Sequence, residues 1–179
     1  MTNVHINNTP LTVQSRDKKI LQTLSRNRIF DKIFYIGTWE KSLKENENFN
    51  DTVIIRRVKT NYFNSSSNNI SKIFKLLEWF IRSSRVLKKI QISCVNCHSL
   101  ALLPFCVYLK FKKKCKLIYD THELETETHV STGLRKRFSK ITEKLLIKYV
   151  DEISVVSNSM AVWYKEKYNL DKVWVVRNV

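Results

Sequence analysis

Residues 116–129 read KLIYDTHELETETH, and this stretch decides the fold. Its first part, Lys116 to Tyr119, is a short apolar run of the kind found in strands that helices cover on both faces. The runs EISVV at 152–156 and VWVV at 173–176 have the same character. Because ligands bind beyond the carboxyl ends of the strands in such sheets, the residues that follow each strand are the candidates for function.

Outward from this stretch, strand and helix patterns alternate along the chain. The predicted strands cover 4–7, 32–37, 52–58, 91–95, 116–119, 152–156 and 173–176, and the predicted helices cover 15–27, 69–88, 99–112, 133–149 and 158–168. This order predicts an α/β fold, a Rossmann-like, mostly parallel sheet with helices on both faces. We expect a single domain over residues 1–179.

The composition fits one domain with a core of its own and indicates an anionic partner. Of the 179 residues 43% are apolar, and 32 Lys and Arg against 16 Asp and Glu give a formal charge of +16, densest in residues 61–115. No apolar run approaches the length of a membrane span, and the N-terminus lacks a secretory signal pattern. We therefore expect a cytoplasmic protein whose four cysteines are reduced thiols.

The spacing C-x-x-C-H formed by Cys94, Cys97 and His98 matches the attachment pattern of c-type haem, and C-x-x-C alone is common in zinc sites. Neither fits, because no export signal and no second C-x-x-C are present. We interpret Cys94 as a core residue, Cys97 as a loop thiol and His98 as a strand-end residue able to face a ligand. No metal ion or cofactor is expected. The sequence also lacks the glycine patterns of nicotinamide and ATP sites.

The segments VNCHSLALLPFCVYLKFKKKCKLIYDTHEL (95–124) and YVDEISVVSNSM (149–160) together carry a family resemblance. They resemble the N-terminal domain of family 4 glycosyltransferases of the GT-B architecture, in which a strand followed by D-x-H-E-L is typical. The resemblance implies the acceptor-side half of a retaining glycosyltransferase, of hexosyltransferase type. Its partners would be a nucleotide-sugar donor and a polysaccharide, lipopolysaccharide or lipid-linked acceptor.

Two departures from the family pattern matter for function. The loop after the first strand holds Asn8, Thr9, Pro10 and Leu11 where many members have glycines. The paired-glutamate motif of the family's second domain is also missing. We expect the C-terminal donor-binding domain to be absent and the chain to be inactive by itself, as a truncated or a split enzyme.

The resemblance implies that His122 and Glu123 are catalytic, near the transferred sugar. A histidine and carboxylates there would orient hydroxyls and stabilise the positive charge that develops during glycosyl transfer. The other predicted substrate-binding residues come from neighbouring strand ends, from the loop after the first strand and from the start of the helix after DTHEL: His98, Glu127, Arg135, Lys136, Ser157 and Thr9.

The predicted helix over 69–88 has an apolar and a basic side. We expect Ile70, Ile73, Phe74, Leu77, Ile81 and Ser84 to face the core. The other side, with Lys72, Lys75, Trp79 and Arg82, is predicted to meet an anionic membrane surface at the inner face of the plasma membrane. In the helix over 133–149 we expect Leu134, Phe138, Ile141, Leu145 and Ile147 to pack inward and the basic residues to be solvated.

A second function class stays open at this point, a basic Rossmann-like binding module without catalysis. Its partner would be an anionic membrane or nucleic acid, since a pI near 9.8 is typical of nucleic-acid-binding domains. No zinc finger, RNP-type or G-x-x-G motif is present, so we predict no specific nucleic-acid partner.

Overall fold

A computed structural model describes residues 1–61, 69–127 and 133–177 of the chain. The chain divides into two compact units, a first unit of Met1–Thr2 and Asn7–Gln91 and a second unit of Asn3–Ile6 and Ile92–Val179. Both contain strands and helices, and the strand pairs described within them are all parallel except one in the first unit, which confirms the predicted α/β class. No described helix has the length and apolar character needed to cross a membrane.

The described residues of the first unit form three strands and two α-helices. They are α1 (Ser15–Arg26), β2 (Lys32–Thr38), β3 (Asn46–Asn48), β4 (Val53–Val58) and α2 (Asn69–Val86). Strand β4 lies between the other two, parallel to β2 and antiparallel to β3. The sequence did not predict β3, because its residues NEN show no apolar alternation. This short strand pairs with β4 and is an edge strand.

The core of the first unit forms between α1 and the parallel strands. Leu21 of α1 is fully buried, and the same helix also buries the charged residues Arg16 and Asp17. The other core residues come from the turn Leu11–Val13 and from β2 and β4: Leu11, Ile33, Tyr35, Val53 and Ile55.

Helix α2 presents the opposite face to that predicted. Trp79, predicted to face a membrane, is only 3% exposed, whereas Ile73 and Ile81, predicted core residues, are 58% and 55% exposed. Ser71 and Ser83 are buried on the same side as Trp79, so small residues flank one large ring. Phe74 and Leu77 are exposed as well, at 53% and 47%. The side chain of Ile70 lies outside the described residues.

In the second unit, the part of the chain that the structure describes forms five strands and three α-helices. They are β1 (Thr2–Ile6), β5 (Cys94–Cys97), α3 (Leu103–Lys113), β6 (Lys116–Thr121), α4 (Gly133–Leu146), β7 (Glu152–Val155), α5 (Asn158–Tyr168) and β8 (Trp174–Val175). The strands lie in the order β1-β5-β6-β7-β8, and every neighbouring pair is parallel. The carboxyl ends of all five strands therefore meet at one edge.

Two predictions in the second unit were wrong. Cys97 is not a loop thiol, since β5 extends to this residue and buries it fully. Helix α4 exposes Phe138, Ile141 and Leu145, and buries Ile147 in the turn that follows it. The side chain of Leu134 lies outside the described residues.

The residue that α4 buries is Glu143, which is 0% exposed. Its carboxylate accepts hydrogen bonds from the hydroxyl groups of Tyr164 at 2.7 Å, Tyr168 at 2.5 Å and Tyr119 at 3.4 Å. A buried carboxylate needs such donors, because an unpaired charge in the interior is costly. Polar pairing, rather than an apolar stripe, therefore fixes which side of α4 faces inward.

Candidate active site

Four neighbouring strands of the second unit each bring a polar side chain to their carboxyl end. His5 is on β1, His98 directly follows β5, and Asp120 is on β6, two residues before His122. Ser154 of β7 is paired in register with Asp120. We call His5, His98, Asp120 and His122 the histidine cluster.

Asp120 lies at the centre of the histidine cluster. Its Oδ2 is 3.2 Å from His98 Nδ1 and 3.2 Å from His122 Nε2, and its Oδ1 accepts a hydrogen bond from Ser154 Oγ at 2.5 Å. The Asp120 side chain is 3% exposed. The buried carboxylate thus hydrogen-bonds the His122 ring, lies against the His98 ring, and is itself held by the hydroxyl of the next strand.

The contacts extend inward from His98 to β1. His98 Nε2 lies 2.9 Å from Nδ1 of His5, and the two rings stack with centroids 5.1 Å apart. Burial lowers the pKa of His5 well below its usual value, and the neighbouring His98 lowers it further. His5 is therefore a neutral ring that hydrogen-bonds to His98.

Of the cluster, only His122 reaches solvent, with 28% of its side chain exposed, whereas His98 is fully buried. Because Nε2 of His122 faces Asp120, a neutral His122 that donates this N–H leaves Nδ1 as a proton acceptor. The cluster thus presents one imidazole to a ligand, and the contact between its Nε2 and the buried Asp120 fixes the orientation of the ring.

Glu125 is an acidic residue of this loop that the sequence analysis did not select. Its Oε1 accepts the backbone N–H of Leu100 at 2.7 Å, at the start of the turn that leads into α3. Burial raises the pKa of Glu125 to about 7, against the opposing effect of that hydrogen bond. The sequence carries no signal for this contact, because only the fold brings Glu125 to a turn that lies 25 residues earlier in the chain.

Glu123 and Glu127, the acidic residues that were predicted, differ in their surroundings. Glu123 is exposed, and its backbone carbonyl accepts the Thr121 hydroxyl at 2.7 Å. The carboxylate of Glu127 lies 2.9 Å from Lys140, 3.2 Å from Lys167 and 3.5 Å from Lys136. Hydrogen bonds from Lys140 and then Lys167 lower the pKa of Glu127 to about 2. Glu127 therefore links α4 to α5.

Three further predicted substrate-binding residues belong to α4 or cap α5. Ser157 caps α5, where its hydroxyl accepts the N–H of Met160 at 3.3 Å. Lys136 pairs with Glu127, and the side chain of Arg135 lies outside the described residues.

Thr9 belongs to the first unit, in the loop after β1. Its carbonyl accepts the Tyr35 hydroxyl at 3.2 Å and lies 2.8 Å from the point where a Cβ on Gly37 would stand. Its own hydroxyl donates to Asn7 Oδ1 at 2.8 Å and accepts from Gln14 at 2.9 Å. The loop is thus held by side-chain hydrogen bonds, and it approaches β2 closely at a glycine of that strand.

Solved structures with this fold are GT-B glycosyltransferases. Sucrose-phosphate synthase from Thermosynechococcus elongatus superposes with a TM-score of 0.74 at 8% identity, over 99% of this chain and 47% of that protein. A shorter structure of that enzyme gives 0.71 at 8% identity, over 99% of this chain and 87% of that one. The apo lipopolysaccharide outer core galactosyltransferase WaaB gives 0.58 at 14% identity, over 99% and 46%.

These likenesses show the fold, that of GT-B proteins, and the chain spans about half the length of the two longer structures. The sequence then gives the family. The model of Glycosyltransferase Family 4 matches residues 30–179, and the chain belongs to this family. No curated protein sequence matches it significantly.

Proposed function

We propose that the chain is the acceptor-side domain of a retaining glycosyltransferase, with His122 as the catalytic residue facing the transferred sugar. One observation carries the proposal: four strand ends converge on Asp120 and His122, and only His122 of that cluster is exposed. Family membership supplies the reaction class. The donor would be a nucleotide-sugar, held by a second domain in the same polypeptide or in a partner chain.

The proposed role of His122 follows from its orientation. Asp120 fixes the ring through Nε2, so Nδ1 is available to accept a hydrogen bond from a sugar hydroxyl. That bond strengthens as positive charge develops on the sugar ring, which lowers the barrier without a covalent intermediate. Asp120 acts as a positioning residue in this scheme.

The acceptor is proposed to be a glycan or a lipid-linked saccharide of a surface polysaccharide or lipopolysaccharide. A lipopolysaccharide galactosyltransferase among the structural neighbours supports this class of acceptor. Sucrose-phosphate synthase has the same fold, so the fold itself does not select the acceptor.

Transfer in the presence of a donor-binding domain tests the catalytic proposal. We expect His122→Ala to lower kcat by roughly 10²–10⁴-fold and Asp120→Asn by roughly 10–100-fold, with KM for the donor unchanged. The readout is release of nucleoside diphosphate from a panel of nucleotide-sugars with a membrane lipid extract as acceptor. Gln22→Ala, at an exposed position of α1, is the control. Full turnover by His122→Ala would refute the assignment.

A second candidate function is attachment to an anionic membrane through α2. Its exposed apolar residues, Ile73, Phe74, Leu77 and Ile81, occur on a helix that also exposes Lys72 and Lys75. Apolar side chains beside lysines suit the boundary between lipid headgroups and acyl chains. Trp79 does not take part, since it is buried. The proposed surface keeps the lysines that the sequence predicted and takes its apolar residues from the side that was predicted to face the core.

Vesicle sedimentation tests the membrane proposal. We expect the chain to sediment with vesicles that contain phosphatidylglycerol and to remain in the supernatant with phosphatidylcholine alone. The double variant Ile73→Ser/Ile81→Ser should weaken sedimentation by about tenfold or more, since two apolar side chains no longer enter the bilayer boundary. Val13→Ser, at a residue 67% exposed outside α2, is the control. Equal sedimentation with both lipids would refute the proposal.

A further inference from the structure

The first unit has a cleft of about 330 Å³ between the end of β4 and the last turns of α2. Four of the residues that line it are cations, Arg57, Lys59, Arg82 and Arg85, and one is an acid, Glu45. Two exposed members, Lys59 and Arg85, have no carboxylate partner among the described residues. The cleft is therefore electropositive at its rim.

Some of these cations have other roles. Arg82 pairs with Glu78 at 2.7 Å, and Lys59 Nζ lies 4.6 Å from the centre of the Trp39 ring. The arginines in the last turns of α2 also offset the negative end of the helix dipole. Positive charge at this place is thus insufficient to establish a binding site.

Arg57 supplies the second, independent observation. Its side chain is 2% exposed, and two of its nitrogens are occupied by Glu47 Oε2 at 2.7 Å and by the carbonyl of Lys44 at 2.6 Å. Its third nitrogen, Nε, is buried and has no hydrogen-bond partner among the described residues. A buried charged donor without a partner is costly, and its position in the wall of a cationic cleft indicates that a ligand oxygen completes it.

We propose that this cleft binds the phosphate group of an anionic lipid. A phosphate offers several oxygens at one centre, so it can accept from Arg57 Nε and from the rim cations together, as a single carboxylate cannot. Arg82 and Arg85 belong to the helix that carries the exposed residues Ile73 and Ile81, which places a lipid source beside the cleft. That the cleft binds a phosphate group is independent of the catalytic proposal. That this phosphate belongs to a lipid rests on the membrane proposal.

Two kinds of vesicle with matched zeta potential test the proposal. One contains phosphatidic acid in phosphatidylcholine, and the other contains cholesteryl hemisuccinate, whose charge is a carboxylate. We expect tighter binding to phosphatidic acid and a loss of that preference, on the order of tenfold, in Lys59→Gln/Arg85→Gln. The charge-matched control is Arg26→Gln/Lys32→Gln, at exposed positions outside the cleft. It should keep the preference.

Arg57→Lys retains the positive charge and removes Nε, and it should lose the same preference provided that its circular dichroism spectrum matches the parent chain. Equal binding to both vesicles by the parent chain would overturn the phosphate site and leave general membrane attachment intact. Binding of glycerol 3-phosphate with the same dependence on Lys59 and Arg85, but without vesicle binding, would overturn the lipid source.

Discussion

At the scale of single residues, the site combines titratable groups whose surroundings move their pKa values in opposite senses. His5 is buried beside a second imidazole, and Glu125 is buried with one backbone hydrogen bond. Each shift makes the stability of the fold depend on pH, because a group that binds protons differently when folded and unfolded links the two equilibria.

For Glu125 we expect the variant Glu125→Gln to be more stable than the parent chain at pH 8, by roughly 1–3 kcal/mol. The folded pKa of about 7 lies above the unfolded value, so the buried charge destabilises the fold fully above that pH and not at all below about 4.5. Urea unfolding at pH 8 and pH 5 checks this. A gain of equal size at both pH values would contradict it.

For His5 the dependence of stability on pH has the opposite direction. Its folded pKa lies below the unfolded value of about 6.5, so below that pH the unfolded chain binds a proton that the folded chain does not. We expect the parent chain to lose stability relative to His5→Phe as the pH falls from 7 to 5. Long-range ¹H–¹⁵N spectra should show a neutral His5 ring at pH 6. A protonated ring there would disprove the assignment.

At the scale of elements, α2 gives the sharpest contrast between expectation and structure. Trp79→Ala should destabilise the fold by about 3–5 kcal/mol, since it removes a buried aromatic ring. Ile81→Ala should change stability by less than about 0.5 kcal/mol, because its side chain is exposed. Urea unfolding of the two variants measures both values. A larger loss of stability for Ile81→Ala than for Trp79→Ala would favour the buried face that the sequence predicted.

Apart from β3, the strands were predictable, whereas the buried faces of α2 and α4 were not, for a physical reason. Runs such as Ile33 to Ile36 are buried on both sides, so their apolar character alone indicates the strand. In α2 and α4 the buried side is defined by Trp79 with two serines and by Glu143 with three tyrosines. Apolar periodicity records neither, because the buried serines of α2 are polar and the tyrosines that bind Glu143 lie on other elements.

The candidate site was also predictable only in part. Asp120, His122 and His98 follow from reading the residues at strand ends, and the structure brings these three together. His5 and Ser154 lie inside strand patterns, where an isolated polar residue has no signal until the order β1-β5-β6-β7 is known. Glu125 required knowledge of the turn at Leu100 whose N–H it accepts.

At the scale of the whole molecule, the formal charge of +16 dominates any encounter with a polyanion. We expect binding to DNA of random sequence to weaken steeply between 50 and 200 mM salt, with a slope that does not depend on sequence. Fluorescence anisotropy with two unrelated duplexes checks this. A preference of more than about tenfold for one duplex would favour a nucleic-acid-binding function over non-specific attraction.

The close approach of the Thr9 carbonyl to Gly37 has a consequence for how this family diversifies. The loop after β1 contains no glycine, and the room for its backbone comes from Gly37 in β2. Position 37 should therefore resist change during evolution, because any side chain there would meet the Thr9 carbonyl and the Tyr35 ring. A lineage that gains a side chain at position 37 should first have changed the path of this loop.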